Sequence, residues 1–311
     1  MITIQRLVAG MRRRLDHAAL RLQLALGWLK YGRRYPRRRA AGAPVLVSLT
    51  SYPPRFGTLH LTLRALLSQS LAPAGVILWI ADADRAYLPA RVTRLTRHGL
   101  QIRSCPDLHS YKKLIPLWQT APDLPVVTAD DDIYYRPDWL AALMAHYTPG
   151  RREVLCHRMH AMRVAADGTL LPYAQWELDS TRTAASTSHF PTGMGGVLYP
   201  PGIFAAEVLQ IDAFRALCPR GDDIWFWWMA RTNGATFRRV PGRQRLECWA
   251  GSQDCALWHD NLTGAFNDTQ IAAMTTRYGA PPLDTPPLPS PMPDAAPDHT
   301  NHRHASGVLQ R

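Results

Sequence analysis

The chain has 311 residues, of which 46% are hydrophobic, and a formal net charge of +12. This length allows one large or two smaller domains, and most of the chain can fold as a globular protein. Its five cysteines, an odd number without a C-x-x-C pair, argue against a disulfide scaffold or a structural zinc site and favour a reducing, cytoplasmic compartment.

Residues 1–43 are predicted to form a basic amphipathic N-terminal arm. They contain eleven Lys and Arg against the single acid Asp16, which leaves only +2 of the net charge for the rest of the chain. The apolar run Leu20–Leu29 is interrupted by Arg21 and is too short to span a bilayer. It also does not end in the small-residue cleavage site that is typical of a secretory signal. We expect either a helix lying in the interface of an anionic membrane or a basic extension packed on its own domain. No nucleic-acid-binding module accompanies the charge, so nucleic acid is not an expected partner.

From Pro44 onward, short apolar runs alternate with segments of helical spacing. The predicted strands include Val45–Leu49, Val76–Ile80 and Leu100–Ser104, with helices over Leu59–Leu67 and Leu88–His98. This alternation predicts an α/β fold, with a mostly parallel sheet flanked by helices in a single catalytic domain over residues 44–278. Neither a G-x-G-x-x-G motif nor a phosphate loop ending in Lys-Ser or Lys-Thr is present, so those two nucleotide sites are not predicted.

The run Val126–Ala129 is predicted to be a buried strand, and it leads directly into Asp130, Asp131 and Asp132. In an open α/β sheet, ligands bind beyond the carboxyl ends of the strands, where carboxylates can hold a divalent cation and, through it, substrate phosphates. Successive residues of an extended segment face opposite ways, so we expect Asp130 and Asp132 on one side and Asp131 on the other. That is the geometry of a D-x-D metal clamp. A solvated acidic turn that caps the next helix is the alternative.

Two further motifs lie in the second half of the chain. The segment Phe190–Gly202 has three glycines in four positions, which permit positive φ values or close approach of the backbone to a ligand. A tight structural turn is the alternative there. Asp222 and Asp223 stand where a helix is predicted to begin, and a carboxylate at that place is favoured by free N–H groups and the helix dipole.

The chain resembles the nucleotide-sugar glycosyltransferases of the GT-A (Rossmann-like) fold, specifically the bacterial family-two-like transferases of surface polysaccharides. The resemblance covers roughly residues 44–275 and rests on motifs in the family's order. These are Thr50-Ser51-Tyr52-Pro53-Pro54-Arg55, Asp130-Asp131-Asp132-Ile133-Tyr134-Tyr135 and Gly221-Asp222-Asp223-Ile224-Trp225-Phe226.

The resemblance implies a donor site for a nucleotide-diphosphate sugar and for Mn²⁺ or Mg²⁺. The triple Asp departs from the family's pattern, so it stays open which two carboxylates meet the metal and which one meets the ribose or donor sugar. The implied metal ligands are Asp130, Asp132 and, from a later segment, His259, for which a surface histidine is the alternative. The implied donor contacts are Thr50, Ser51, Arg55, Asp130, Asp131, Gly195 and Gly196. Lys112 or Lys113, from a loop on the same sheet edge, is predicted to assist as a phosphate partner, with solvated surface lysines as the alternative.

The resemblance also implies a carboxylate that deprotonates the acceptor hydroxyl. We assign that role to Asp223, with Asp222 orienting it or capping the helix. A carboxylate stabilised by the helix dipole stays ionised at neutral pH, although adjacent like charges can raise one pKa instead. Upstream, Tyr173, Trp176 and Glu177 offer an aromatic face and a carboxylate to a sugar, or simply belong to the core.

The predicted function is metal-dependent transfer of a sugar to a hydroxyl of a glycan or glycolipid, with inversion, in bacterial surface polysaccharide synthesis. The predicted location is cytoplasmic, with peripheral contact at the inner face of the membrane. Alternatives are another nucleotide-sugar-dependent transferase, a transferase-like protein without catalysis, and a non-catalytic basic protein that binds membrane or nucleic acid. Residues 279–311 are rich in proline and are predicted to form a disordered tail.

Overall fold

The strands of the structure lie close to the apolar runs of the sequence. The computed structural model describes residues 2–39, 42–242, 244–251, 266–280 and 282–284. The strands are β1 (Ala43–Thr50), β2 (Pro73–Ala81), β3 (Leu100–Cys105), β4 (Val126–Ala129), β5 (Ile133–Tyr134), β6 (Glu153–Cys156), β7 (Met159–Ala161), β8 (His189–Pro191), β9 (Val197–Tyr199), β10 (Thr236–Arg239) and β11 (Glu247–Cys248). The α-helices are α1 (Ile2–Lys30), α2 (Tyr35–Arg38), α3 (Phe56–Leu67), α4 (Ala90–Thr93), α5 (Ile115–Trp118), α6 (Trp139–Met144), α7 (Ile211–Leu217), α8 (Asp222–Thr232) and α9 (Phe266–Tyr278).

Within the described residues, a central sheet has the strand order β10-β6-β9-β4-β1-β2-β3. Strand β1 pairs in parallel with β2 and β4, β2 with β3, and β6 with β10. Strand β9 runs antiparallel between β4 and β6. The predicted α/β fold, a mostly parallel sheet flanked by helices in one domain, is therefore confirmed.

The continuous helix predicted over Leu88–His98 is wrong. The segment forms α4 and then a 3₁₀ stretch over Arg94–His98. It ends at Gly99, whose φ of 95° lies in the left-handed region. Glycine adopts that backbone without the steric cost that a Cβ would bring, so it ends the helical segment and turns the chain into β3.

Alternate residues of the central strands pack on opposite faces of the sheet. Val76, Leu78 and Ile80 of β2 belong to the apolar cluster that contains the buried side of α3. Ile77 and Trp79 belong to the cluster that contains most of α8. Burial on both faces explains why the strand sequences are apolar throughout rather than alternating with polar residues.

Strands β1 and β4 bring their carboxyl ends to the same place. Leu49 lies opposite Ala129 in the parallel register. Thr50, the last residue of β1, and Asp130, the first residue after β4, therefore lie side by side. The predicted nucleotide loop and the acidic triplet consequently start from the same edge of the sheet, where ligands of open α/β sheets bind.

Helix α1 packs on the domain through one face of its C-terminal half. Leu20, Leu24 and Trp28 are buried, and Trp28 lies under the guanidinium of Arg64 from α3 and edge-on to His98. The C-terminal half of the predicted arm therefore packs on its own domain, and the expectation of a helix in a membrane interface stays a prediction. No described helix is long and apolar enough to cross a membrane.

Residues 282–284, which lie within the predicted tail, contact the domain through Asp284. The carboxylate of Asp284 accepts hydrogen bonds from the hydroxyls of Ser186 and Ser188 and from the backbone N–H of Thr187. Side-chain hydrogen bonds of this kind order a chain that has no apolar periodicity of its own. Residues 285–311 lie outside the described residues, so the prediction of disorder for them stays a prediction.

Candidate functional site

A cleft of about 1230 Å³ opens at the carboxyl edge of the sheet. Its lining includes the acidic triplet Asp130–Asp132 and, from the start of α8, Asp222 and Asp223. The two acidic groups therefore line the same cleft, while their chemical roles stay predictions. The predicted donor residues that also line the cleft are Thr50, Ser51, Arg55, Lys112 and Lys113.

The acidic triplet is a turn, and the predicted alternation of its side chains is wrong. The chain leaves the sheet after Ala129 and turns at Asp131 and Asp132 before β5 begins. The guanidinium of Arg55 contacts both of these carboxylates, at 3.1 Å from Asp131 and 2.6 Å from Asp132. The carboxylate of Asp130 instead lies 3.2 Å from Nζ of Lys113. The alternation fails because it holds only for extended backbone.

Burial and ion pairing act in opposite directions on the triplet. Burial raises the pKa of Asp131 to about 6, although Arg55 and a 2.5 Å hydrogen bond from the hydroxyl of Ser51 favour its ionised form. Burial and the nearby charge of Asp130 also raise the pKa of Asp132. Nη1 of Arg55 contacts both carboxylates, and its charge favours their ionised forms and opposes this rise.

The backbone of the turn is hydrogen-bonded by Thr62 and Trp249, neither of which is predicted as a site residue from the sequence. The buried hydroxyl of Thr62 lies 2.9 Å from the carbonyl of Asp131 and 3.0 Å from that of Ile133. The indole N–H of Trp249 donates to the same hydroxyl, and its backbone N–H donates to the carbonyl of Asp132. The sequence signal for this contact is Thr62 itself, a polar residue among the apolar positions of the predicted helix Leu59–Leu67.

Tyr135 connects the triplet to the glycine-rich loop. Its hydroxyl accepts the backbone N–H of Asp130 at 2.8 Å and lies 3.3 Å from the carbonyl of Met194. The ring is buried against Trp139. Tyr135 therefore fixes the position of Asp130 relative to the glycine-rich loop.

Lys113 is the centre of the charge network. Its ammonium is buried and lies 2.8 Å from Asp222 and 3.2 Å from Asp130. Burial disfavours the cation, but Asp130, Asp222 and Asp223 together hold the pKa of Lys113 well above its ordinary value. The same role is predicted for Lys112 and Lys113, yet Lys112 pairs with Asp107 instead.

Asp223 lies beside this network and departs from its expected ionisation. Its carboxylate accepts the backbone N–H of Gly193 at 2.9 Å. Burial raises the pKa of Asp223 to about 7, with Lys113 opposing and Asp222 reinforcing the rise. This direction differs from the low pKa expected of a carboxylate at a helix start, because burial is the largest cause of the rise and the like charge of Asp222 only adds to it.

Gly193 allows these groups to meet. A Cβ on Gly193 would lie 2.8 Å from Nζ of Lys113 and 3.1 Å from a carboxylate oxygen of Asp223. The predicted donor contacts Gly195 and Gly196 have a different role. A Cβ on Gly195 would meet the backbone N of Arg158 at 2.9 Å, and Gly196, with a φ of 89°, faces the ring of Trp139. Both of these glycines are required for packing of the loop, and in the described structure Met194 rather than either glycine lines the cleft.

The wall beyond Asp223 is partly aromatic and partly cationic. Tyr173 and Phe190 line it in an edge-to-face contact, together with Arg158, whose guanidinium donates to the hydroxyl of Thr192. Of the three residues proposed for sugar contact, Tyr173 alone lines the cleft in the described structure. Trp176 is buried and donates to the carbonyl of Leu171, and Glu177 binds Ser180 and Arg182.

The carboxylates of the triplet fit a Mg²⁺ site in which the protein supplies only one or two of the ligands. The charge of Asp130 helps to raise the pKa of Asp132, so these two carboxylates are close enough to interact. Mg²⁺ is commonly held by one or two carboxylates together with substrate phosphates and water. Among the described residues no group of three or more ligand-type side chains is gathered for a metal ion. His259, the third predicted ligand, lies outside them.

Protein-family models do not match the chain, and no curated protein matches its sequence. Three solved structures are similar to it at low identity. The inositol-1-phosphate CTP transferase from T. maritima is 10% identical, with a TM-score of 0.41 over 72% of this chain and 96% of that one. GalNAc-T7, crystallised with UDP, GalNAc and Mn²⁺, is 11% identical, with a TM-score of 0.44 over 75% of this chain and 50% of that one. S. aureus TarS in complex with UDP is 12% identical, with a TM-score of 0.40 over 65% of this chain and 59% of that one.

Proposed function

We propose that the protein transfers a sugar from a nucleotide-diphosphate sugar to a hydroxyl of a glycan or glycolipid. The observation that carries the proposal is the position of Lys113, whose ammonium joins Asp130 of the triplet to Asp222 of the second acidic pair in one cleft. A transfer reaction needs a cationic site for the leaving diphosphate next to a base for the acceptor. This cleft offers both, and its volume is sufficient for a nucleotide sugar and part of an acceptor.

The donor side of the cleft is built to hold phosphates. Arg55 presents a planar guanidinium, which suits bidentate contact with phosphate, and Lys113 presents a point charge. Asp130 and Asp132 would hold Mn²⁺ or Mg²⁺, and the metal would supply positive charge for the departing diphosphate. Ser51 orients Asp131 through their hydrogen bond.

The acceptor side is assigned to Asp223. With a pKa near 7, this carboxylate is partly ionised at neutral pH, and a base of that pKa is well matched to proton abstraction from a hydroxyl. The acceptor oxygen would attack the anomeric carbon while its proton passes to Asp223 and the diphosphate leaves. One direct displacement inverts the anomeric configuration. Asp222 is kept in place by Lys113 and orients the pair.

The proposal includes a biological setting. The three motifs that resemble family-two-like transferases support a role in bacterial surface polysaccharide synthesis, and the basic N-terminal arm supports a cytoplasmic location at the inner face of the membrane.

Donor binding tests the first half of the proposal. Thermal shifts would be measured with UDP-, GDP-, dTDP- and CMP-sugars, with and without Mn²⁺. We expect one class of diphosphate sugar to raise the melting temperature, and to do so more strongly with Mn²⁺. Asp130→Asn should abolish the metal-dependent part, while Asp123→Asn, on the exposed loop before β4, serves as the matched control. Stabilisation by the CMP-sugar alone, or by none of the four, would contradict the proposal.

Transfer itself tests the second half. With the donor identified, hydrolysis of the nucleotide sugar and transfer to a glycan mixture would be followed for Asp223→Asn. We expect this variant to bind the donor normally and to lose transfer by about a hundredfold or more, the usual contribution of a positioned base. Donor binding without any transfer by the wild-type protein would favour a non-catalytic role.

A further inference from the structure

Helix α1 has a second apolar face that the domain does not cover. Among the side chains of α1 that the structure describes, the large exposed apolar ones are Met11, Leu15, Leu22, Leu26 and Leu29, which are 54–66% exposed. At 3.6 residues per turn these five lie within about 60° of one another around the helix axis. The buried residues Leu20, Leu24 and Trp28 occupy the opposite side. We refer to the five exposed side chains as the outer stripe.

The charge next to the outer stripe is predominantly positive. Exposed basic side chains follow the last turn of α1, in the sequence Lys30, Arg33, Arg34, Arg37 and Arg39. Asp16 is the only acid among residues 1–43, which carry +10 of the net charge of +12. An apolar stripe bordered by basic groups is the pattern of a helix that lies in the surface of an anionic bilayer.

We propose that α1 is an in-plane membrane helix whose outer stripe enters the interface of a bilayer containing anionic lipid. A second copy of the chain is a poorer occupant, because pairing two such helices would bring two charges of +10 together. Nucleic acid would neutralise the charge but would leave the apolar stripe exposed to water. A bilayer satisfies both features at once.

The direction of α1 places the bilayer beside the cleft. Gly27 lies against Ser68 just beyond the end of α3, and Arg21 acts electrostatically on His60 in its second turn, so the two helices run parallel. The part of α1 before Asp16 therefore extends roughly 20 Å past the start of α3, at 1.5 Å per residue, on the side where the cleft opens. A glycolipid acceptor would then reach Asp223 from the membrane; this consequence rests on the proposed function, whereas membrane binding does not.

Vesicle sedimentation tests the proposal with the full chain. The protein would be mixed with phosphatidylcholine vesicles, with and without phosphatidylglycerol, at low and high salt. We expect binding to the anionic vesicles that weakens with salt. The double variant Leu22→Gln/Leu26→Gln should lower the partition coefficient roughly tenfold or more. Tyr87→Gln, which changes an exposed aromatic residue outside α1, is the matched control and should bind as wild type.

Two further measurements distinguish a bilayer from a second copy of the chain as the partner of the outer stripe, and show whether the variant is folded. Circular dichroism and the donor-induced thermal shift should be unchanged in Leu22→Gln/Leu26→Gln, which shows that the fold and the cleft are intact. Analytical ultracentrifugation should give the same mass for this variant and the wild type. Absence of vesicle binding, equal binding by the variant, or conversion of a wild-type dimer to a monomer would overturn the proposal, whatever the outcome of the transfer assays.

Discussion

The ammonium of Lys113 lies 2.8 Å from the carboxylate of Asp222. This contact joins the segment that precedes α5 to the first turn of α8. Asp130, at 3.2 Å on the other side of the same ammonium, adds the acidic turn after β4. The two acidic motifs thus share one buried cation, and a change in the charge of one motif alters the electrostatic environment of the other.

The pH dependence of transfer should report Asp223. A base works only when ionised, and burial raises the pKa of Asp223 to about 7. We therefore expect kcat/KM to rise about tenfold per pH unit below 7 and to level off above it, because this parameter reflects the free enzyme. The measurement is a pH profile of kcat/KM under saturating metal. A profile that is flat from about pH 5 to 8 would exclude Asp223 as the base.

Replacing Lys113 should destabilise the protein more than replacing its neighbour. Lys113→Met leaves Asp130, Asp222 and Asp223 without their shared buried cation, and removal of one partner of a buried pair costs about 3–5 kcal/mol. The carboxylates can take up protons, so the loss should be smaller at acidic pH and larger as pH rises through 7. Lys112→Met is the control, since Lys112 pairs with the half-exposed Asp107. Urea unfolding at pH 6 and pH 8 measures the difference, and equal losses in both variants would contradict the central role of Lys113.

The sheet and the edge at which the acidic residues gather could be predicted because they depend on local patterns. Apolar runs such as Val126–Ala129 are continuous since both faces of the strand are buried, and parallel pairing brings carboxyl ends together. The placement of Asp130 beside Thr50 follows from these two facts. Helix initiation at Asp222 likewise follows from the preference for carboxylates at helix starts.

The finer geometry of the site depends on contacts between distant parts of the chain. The alternation expected for the triplet fails because Thr62 and Trp249 hold it as a turn. The distinction between Lys112 and Lys113 depends on which one faces Asp222. The spacing of residues within a motif predicts neither the turn of the triplet nor which of the two lysines contacts Asp222.

Gly193→Ala should impair the site while leaving the fold largely intact. The added Cβ would lie 2.8 Å from Nζ of Lys113 and 3.1 Å from Asp223, so one of these groups has to move. We expect transfer to fall at least about tenfold, the effect of misplacing a base by a fraction of an ångström. Gly57→Ala, where a Cβ meets open space, is the control and should retain activity. Unchanged activity in Gly193→Ala would show that the network tolerates displacement and is not the catalytic centre.

Thr62→Val should weaken the donor site from beneath. Valine has nearly the same shape but lacks the hydroxyl that contacts the carbonyl groups of Asp131 and Ile133 and accepts the indole N–H of Trp249. Because these groups are buried, we expect a loss of about 1–3 kcal/mol in the free energy of unfolding and a weaker donor-induced thermal shift. Thr96→Val, which removes an exposed local hydrogen bond, should cost much less. Denaturant unfolding and donor titration of both variants check this, and a Thr62→Val protein with normal donor affinity would mean that the acidic turn keeps its shape without support from α3.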